Sequence, residues 1–154
     1  MDDRFPIAET DLPVDLVFIE DDLADAELIL RALRRDHARA RIQHFSDGEE
    51  ALNLLLGREP YVKRNQGGLP HVVLLDLKLP QVDGFDILRA LKADPRTQLI
   101  PVVIFTSSAE AQDIVACHRL GASSYLVKPI DAELFEQTVR QAGNYWFRLN
   151  HPPT

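Results

Sequence analysis

Two hydrophobic patterns alternate along this chain. Short runs of aliphatic and β-branched residues are separated by longer stretches in which apolar residues recur every three or four positions. The short runs are typical of strands, and the longer period is typical of amphipathic helices. Five such pairs follow one another, with the predicted strands at 14–19, 41–45, 71–76, 101–105 and 124–127. This alternation predicts an α/β fold with a parallel sheet, helices on both faces and right-handed crossovers.

Polar residues mark the beginnings of several predicted helices. Asp22 is a suitable N-cap for the first helix, and Ser46 with Glu49 has the spacing of a capping box at the second. The apolar positions of the first helix are expected on one face, and they are Leu23, Ala26, Ile29, Leu30 and Leu33. Asp131 precedes the last helix, which is expected to reach Phe147 or extend beyond it.

The carboxyl ends of the predicted strands carry polar side chains. Three acidic residues follow the first strand, an aspartate ends the third, hydroxyl residues follow the fourth, and a lysine follows the fifth. In chain order they are Glu20, Asp21, Asp22, Asp76, Thr106, Ser107, Ser108 and Lys128. Because ligands of doubly wound sheets bind at this edge, the polar residues are expected to surround one site.

The chemistry of these residues favours phosphoryl transfer. Clustered carboxylates repel one another unless a positive charge lies between them, and Mg²⁺ is the hard cation that suits oxygen ligands and keeps several waters. Lys128 would add a second positive charge and Thr106 a hydroxyl donor. Asp76 would then be the nucleophile that attacks phosphorus.

Composition narrows the class of protein. The chain has 154 residues, 45% of them hydrophobic, which suits one globular domain. A net charge of −7 argues against a nucleic-acid-binding groove. Residues 1–13 contain four acidic residues and do not resemble a signal peptide, and no apolar run approaches the ~20 residues of a membrane span. The single cysteine fits a reducing compartment, so a cytoplasmic protein is expected.

Four segments resemble, in order and spacing, the receiver domains of two-component response regulators. They are IEDD at 19–22, LDLKLPQVDG at 75–84, FTS at 105–107 and VKP at 127–129. The resemblance implies a flavodoxin-like (βα)5 fold, a doubly wound parallel sheet with strand order 2-1-3-4-5. The resemblance covers roughly residues 14–144. We expect one receiver domain at 14–150 with an extended C-terminal helix, flanked by tails at 1–13 and 151–154.

The resemblance implies a role for each residue of the site. Asp76 matches the phosphoacceptor and a ligand of Mg²⁺. Asp21 matches a direct metal ligand, Glu20 matches a residue that acts mainly through metal-bound water, and Lys78 would contribute its backbone carbonyl. Such a domain is a switch that catalyses only its own phosphorylation and dephosphorylation.

Three further positions match residues that respond to phosphorylation. Thr106 and Lys128 match the residues that contact the phosphoryl group, and Tyr125 matches the aromatic switch residue. The implied partner is a sensor histidine kinase, and the implied output is a changed protein-interaction surface. Ser108 is expected only to cap the next helix.

A narrower resemblance is to the stand-alone receivers that partner bacterial and cyanobacterial phytochromes, which makes a phytochrome kinase a candidate partner. It rests on a long polar loop at 57–69 and on the aromatic cluster Tyr145, Trp146 and Phe147. These aromatic residues either pack on the core of their own domain or form a homodimer interface. We expect the homodimer.

Two other functions are compatible with a sheet of this type. A flavin-binding electron carrier would need a loop after the first strand that holds phosphate, and the acidic triplet there would repel phosphate in the absence of a metal. A phosphatase with an aspartate nucleophile would usually carry an acid two residues after it, where this chain has Lys78.

Overall fold

The computed structural model describes residues 14–58 and 68–152. The predicted N-terminal tail at 1–13, residues 59–67 of the predicted loop, and the last two residues of the predicted C-terminal tail lie outside the described residues.

Five parallel strands form one sheet. They are β1 (Leu16–Ile19), β2 (Ile42–Phe45), β3 (Val72–Leu75), β4 (Val102–Thr106) and β5 (Ser124–Val127). The strand order is β2-β1-β3-β4-β5, which confirms the order that the resemblance implied. The order reverses beside β1, so the ends of β1 and β3 lie next to each other at the switch point, where ligands of such sheets bind.

A helix follows each strand. The helices are α1 (Leu23–Asp36), α2 (Gly48–Leu55), α3 (Gly84–Ala93), α4 (Ala111–Arg119) and α5 (Ala132–Asn144), and α5 is continued by a π-helical turn over Tyr145–Leu149. The chain therefore keeps a helical course past Phe147, although its last turn is wider than an α-helix.

The helix caps agree with the sequence at two of three predicted positions. Asp22 accepts a hydrogen bond from the backbone N–H of Asp25, and Asp131 accepts one from that of Leu134. The capping box at Ser46 is wrong. Asp47 caps α2 instead, because its carboxylate accepts from two backbone N–H groups of the first turn and carries the negative charge that a helix N-terminus favours.

Alternate residues of the strands build two cores, one on each face of the sheet. On one face, Val17, Ile19 and their neighbours pack against α2, α3 and α4. On the other face, Leu16, Phe18 and their neighbours pack against α1 and α5. The predicted apolar face of α1 is only partly right: Leu23 is 71% exposed and Leu30 is 37% exposed, since α1 contacts the sheet through Ala26, Ile29 and Leu33.

The helices differ in how closely they pack on the rest of the domain. A Cβ at Gly143 of α5 would lie 2.8 Å from Leu33 Cδ2, so α1 and α5 approach each other closely. Within α4, all of which the structure describes, Cys117 alone is fully buried. The α1–α5 pair is therefore tightly packed, whereas α4 rests on the sheet through a narrow contact.

The C-terminal aromatic residues divide between core and surface. Trp146 and Phe147 are partly buried against the α1–α5 core, and Phe147 packs edge-on against His37 with ring centroids 4.7 Å apart. Tyr145 packs against Trp146 but is 48% exposed. Two of the three residues predicted for an interface therefore contact their own domain, and Tyr145 remains accessible.

Candidate functional site

The strand register brings the predicted site residues to one edge of the sheet. Ile19 of β1 pairs with Leu75 of β3, so the residues that follow them, Glu20 and Asp76, lie on adjacent strand ends. Thr106 ends β4 and pairs with Val127 of β5, which Lys128 follows. The carboxylates, the hydroxyl and the amine that the sequence predicted to meet are therefore in one place.

Lys128 is the centre of the polar contacts. Its ammonium nitrogen lies 2.5 Å from Glu20 Oε1, 2.9 Å from Asp76 Oδ2 and 2.9 Å from Asp25 Oδ2, with only 9% of its side chain exposed. Burial opposes the charge of the ammonium, but hydrogen bonds to the three carboxylates outweigh it and raise the pKa of Lys128 above its usual value. Lys128 is therefore a fixed positive charge.

Glu20 is the most deeply buried acid of the site, with 2% of its surface exposed. Burial raises the pKa of Glu20 to about 7; Lys128 opposes this effect, and the nearby charge of Asp76 adds to it. Near neutral pH the Glu20 carboxylate thus lacks full compensation for its charge, which is the condition in which a carboxylate gains most from a bound cation.

Three acids can share one cation. Single carboxylate oxygens of Glu20, Asp21 and Asp76 all lie within 4.8 Å of one another. Asp21 is exposed and Asp76 is 7% exposed, so this group opens from the sheet edge toward solvent. An all-oxygen donor set with a solvent-facing side fits a hard divalent cation that retains water. The backbone N–H of Lys78 donates to Asp76 Oδ1 at 3.3 Å, which helps to orient that carboxylate.

Thr106 presents a buried hydroxyl that has no hydrogen-bond partner among the residues that the structure describes. The residue has no exposed surface, and its carbonyl accepts a hydrogen bond from the backbone N–H of Lys128 at 2.7 Å. A buried hydroxyl without a partner costs about 1–3 kcal/mol. This hydroxyl is therefore available to an acceptor that enters the site.

Tyr125 is tied to the loop that follows β4. Its hydroxyl donates to the carbonyl of Ser108 at 2.9 Å. The Ser108 hydroxyl accepts from the backbone N–H of Glu110 and donates to Asp113 Oδ2 at 2.6 Å. The prediction that Ser108 caps the next helix is wrong, because the N-cap position of α4 is Glu110. Ser108 instead joins Tyr125 to the first turn of α4.

Gly84 allows α3 to begin directly against the end of β3. A Cβ at this position would lie 2.5 Å from the carbonyl oxygen of Asp76 and 2.6 Å from Leu77 Cα. The start of α3 at Gly84 thus fixes the backbone that carries Asp76.

Asp25 is the site residue that sequence reasoning missed. It lies in the first turn of α1 and reaches Lys128. Acidic residues are common in the first turn of a helix, where their negative charge interacts favourably with the helix dipole. The type of residue alone therefore gives no sign of this contact. The spacing could have found it, because the first turn of α1 lies over the same sheet edge as Glu20.

Comparison with known proteins identifies the family. The model of the response regulator receiver domain matches residues 16–140. The chain belongs to this family. Receiver domains are signalling switches that work with histidine kinases in two-component systems, so the flavin carrier and the phosphatase are not supported. Among residues 14–58 and 68–152, the structure contains no helix that could span a bilayer.

Several relatives of this receiver domain match it over nearly their whole length. The probable methanogenesis regulatory protein FilR2 of Methanothrix harundinacea is 36% identical over 98% of this chain and 95% of its own. Response regulator Rcp1 of Synechocystis is 28% identical over 90% of this chain and 92% of its own. The receiver therefore resembles proteins that consist of little more than this domain.

Solved structures of two response regulators, one of them the cyanobacterial phytochrome response regulator RcpA, have the same fold. Phosphorylated RcpA is 30% identical, with a TM-score of 0.84 over 92% of this chain and 99% of its own. The Mn²⁺-bound form of Rcp1 is 27% identical, with a TM-score of 0.84 over 92% of this chain and all of its own. A divalent cation in that relative is consistent with the acidic group of Glu20, Asp21 and Asp76.

Proposed function

We propose that this receiver accepts a phosphoryl group on Asp76 from a sensor histidine kinase, with Mg²⁺ bound, and signals through a changed protein-interaction surface. The observation that carries the proposal is the contact of Lys128 with Asp76 and Glu20 beside the exposed carboxylate of Asp21. A nucleophile, a fixed cation and a group of oxygen ligands at one sheet edge are the parts that phosphoryl transfer needs.

In the transfer step, a carboxylate oxygen of Asp76 forms a new bond to phosphorus. The bond between phosphorus and the kinase histidine nitrogen breaks, and its electron pair stays on that nitrogen. With acetyl phosphate as donor, the phosphorus–oxygen bond breaks instead and acetate leaves. Lys128 stands 2.9 Å from Asp76 and would meet the negative charge of the incoming phosphoryl oxygens.

Mg²⁺ would be held by Asp21 and Asp76, by Glu20 mainly through bound water, and by the backbone carbonyl of Lys78. When bound, it would offset charge on the phosphoryl oxygens. The proposal is supported by the all-oxygen donor set and by the buried, incompletely compensated Glu20. Because the domain would perform one transfer and later lose the same group to water, its chemistry is confined to itself.

The switch would act through Thr106 and Tyr125. The Thr106 hydroxyl lacks a partner among the described residues of the resting protein, and a phosphoryl oxygen would supply one. Tyr125 would then leave Ser108 and move into the space that Thr106 vacates, which would release the connection between Ser108 and α4. The surface formed by α4, β5 and α5 would change, so phosphorylation would shift a two-state equilibrium.

A phytochrome kinase is the partner that the comparisons favour. Rcp1 and RcpA resemble this chain over nearly their whole length, and RcpA is a phytochrome response regulator. The partners would meet in the cytoplasm. We expect no nucleic-acid contact, since the net charge is −7.

A homodimer through the C-terminal region remains part of the proposal. Tyr145 is 48% exposed and Leu149 is 61% exposed, while Trp146 and Phe147 support them from within the domain. Sedimentation of Tyr145→Ser beside the native protein tests this interface. A native monomer at all concentrations would exclude the dimer and leave the phosphoacceptor chemistry unaffected.

The decisive experiment measures intact mass after incubation with Mg²⁺ and acetyl phosphate, in the native protein and in Asp76→Asn. We expect one added phosphoryl group in the native protein and none in the variant. Absence of the group in folded native protein, with acetyl phosphate and with a phosphorylated kinase alike, would refute the proposed chemistry.

A further inference from the structure

Three carboxylates surround the ammonium of Lys128, and one of them stands apart from the acidic group. Glu20 and Asp76 belong to the three acids whose oxygens lie within 4.8 Å of one another, whereas Asp25 does not. Asp25 lies on α1, its side chain is 28% exposed, and its Oδ2 is 2.9 Å from the ammonium nitrogen. Its contact with Lys128 therefore joins the first helix to the end of the fifth strand.

The proposed phosphoryl transfer requires Lys128 to change its contacts with Glu20 and Asp76. An ammonium has three N–H donors, and in the resting protein they face three carboxylates. During phosphoryl transfer an oxygen of Asp76 becomes bonded to phosphorus, and Glu20 is needed beside the cation. Asp25 has no part in either event, so its contact with Lys128 can persist throughout.

The Asp25 side chain does not cap its own helix. The cap of α1 is the side chain of Asp22, which accepts from the backbone N–H of Asp25 at 3.0 Å. The hydrogen bond described for the Asp25 carboxylate is the one to Lys128, which lies 103 residues away in the chain. A long-range charged pair at the edge of a functional site, on a residue that does not cap its helix, requires an explanation specific to the site.

We propose that Asp25 is a positioning residue that holds the flexible Lys128 side chain over the site while Glu20 and Asp76 exchange their contacts. The proposal rests on the phosphoacceptor function of Asp76 given above. Four rotatable bonds separate the ammonium from the backbone, and an anchor outside the reacting group restricts them. Asp25 would touch neither the cation nor the phosphoryl group.

The first test compares the rate of phosphorylation by acetyl phosphate at saturating Mg²⁺ in native protein, Asp25→Asn and the control Asp22→Asn. Both variants remove one negative charge from the start of α1, and asparagine retains the ability to cap at position 22. We expect Asp25→Asn to slow the reaction about 5-fold, as suits one partly exposed charged pair. The Mg²⁺ affinities of the two variants, measured by calorimetry, should be alike.

A second comparison asks whether Asp25 acts through Lys128. In a Lys128→Gln background, Asp25→Asn should cause no further change in rate, because the side chain that it positions is gone. An equal rate in Asp25→Asn and Asp22→Asn would overturn the proposal. The same 5-fold loss in the Lys128→Gln background would also overturn it, since Asp25 would then act by its charge alone.

A third measurement is independent of phosphorylation and of the stability of Lys128→Gln. A buried ammonium held by three acceptors should exchange its protons slowly and give an observable ¹⁵N-NMR signal. Asp25→Asn should broaden or remove this signal, whereas Asp22→Asn should leave it. An unchanged signal in Asp25→Asn would overturn the proposal that Asp25 positions Lys128. If the native protein takes no phosphoryl group, the proposed function is refuted, and the NMR signal still shows whether Asp25 holds Lys128.

Discussion

Replacing Thr106 with valine should stabilise the resting protein, which is the opposite of what most core substitutions do. The residue has no exposed surface, and its hydroxyl has no partner among the described residues. Valine keeps the shape of threonine and replaces the hydroxyl with a methyl group, so it removes the penalty of a buried, unpaired polar atom. That penalty is about 1–3 kcal/mol.

The matched control is Thr97→Val. Thr97 is also without exposed surface, but its hydroxyl donates to the carbonyl of Leu91 at 2.6 Å near the end of α3. Valine there leaves a carbonyl unpaired, so we expect a loss of about 1–3 kcal/mol. The two threonine-to-valine changes should therefore shift stability in opposite directions.

Urea unfolding without phosphodonor or divalent cation measures both variants. With a slope of about 1–3 kcal/mol per molar urea, a gain of about 1.5 kcal/mol raises the midpoint by roughly 1 M for Thr106→Val. A fall in the midpoint like that of Thr97→Val would refute the reasoning, because it would mean that the Thr106 hydroxyl already has a partner. In the phosphorylated protein, Thr106→Val should lose the response of the α4–β5–α5 surface.

Three further predictions concern the same edge of the sheet. Gly84→Ala should lower the free energy of unfolding in urea by about 2 kcal/mol, since its Cβ would lie 2.5 Å from the carbonyl oxygen of Asp76 and the backbone would have to move. Stability equal to that of the native protein would contradict this close approach. Because burial raises the pKa of Glu20 to about 7, the folded protein binds this proton more tightly than the unfolded chain. Without divalent cations, the free energy of unfolding of the native protein relative to that of Glu20→Gln should thus fall by at most about 3 kcal/mol as pH rises from about 4.5 through 7. A difference that does not change with pH would show that the pKa of Glu20 is not raised. Lys128→Met should lower the free energy of unfolding by about 3 kcal/mol at pH 8, because three carboxylates lose the ammonium that they share. Millimolar Mg²⁺ should restore part of this loss, and equal urea midpoints with and without Mg²⁺ would contradict the idea that Mg²⁺ binds these carboxylates.

Most of the fold is predictable from the sequence because the signals for it are local. The three central strands are short apolar runs, and parallel pairing requires that all carboxyl ends meet at one edge. For this reason the order of residues along the chain is enough to place Glu20, Asp76, Thr106 and Lys128 together. Their roles in phosphoryl transfer rest on the chemistry of the residues and on the family resemblance, and they stay predictions.

The features that could not be predicted from the sequence depend on tertiary geometry or on a choice between adjacent residues that suit the same position. Asp25 contacts Lys128, which lies 103 residues away in the chain, and its residue type alone gives no sign of this contact. Ser46 and Asp47 are adjacent and both suit an N-cap, so spacing alone selected the wrong one. Leu23 fits the helical period, yet it lies in the first turn beyond the reach of the sheet and is exposed.

The narrow contact between α4 and the sheet has an evolutionary consequence. Because Cys117 is the residue of α4 that is fully buried, most positions on this helix can be substituted at a cost within about 0.5 kcal/mol. Changes at the tightly packed α1–α5 pair are costlier, as the approach of Gly143 to Leu33 shows. Descendants of a duplicated gene could thus change the exposed surface of α4 while inheriting the same arrangement of Glu20, Asp76 and Lys128.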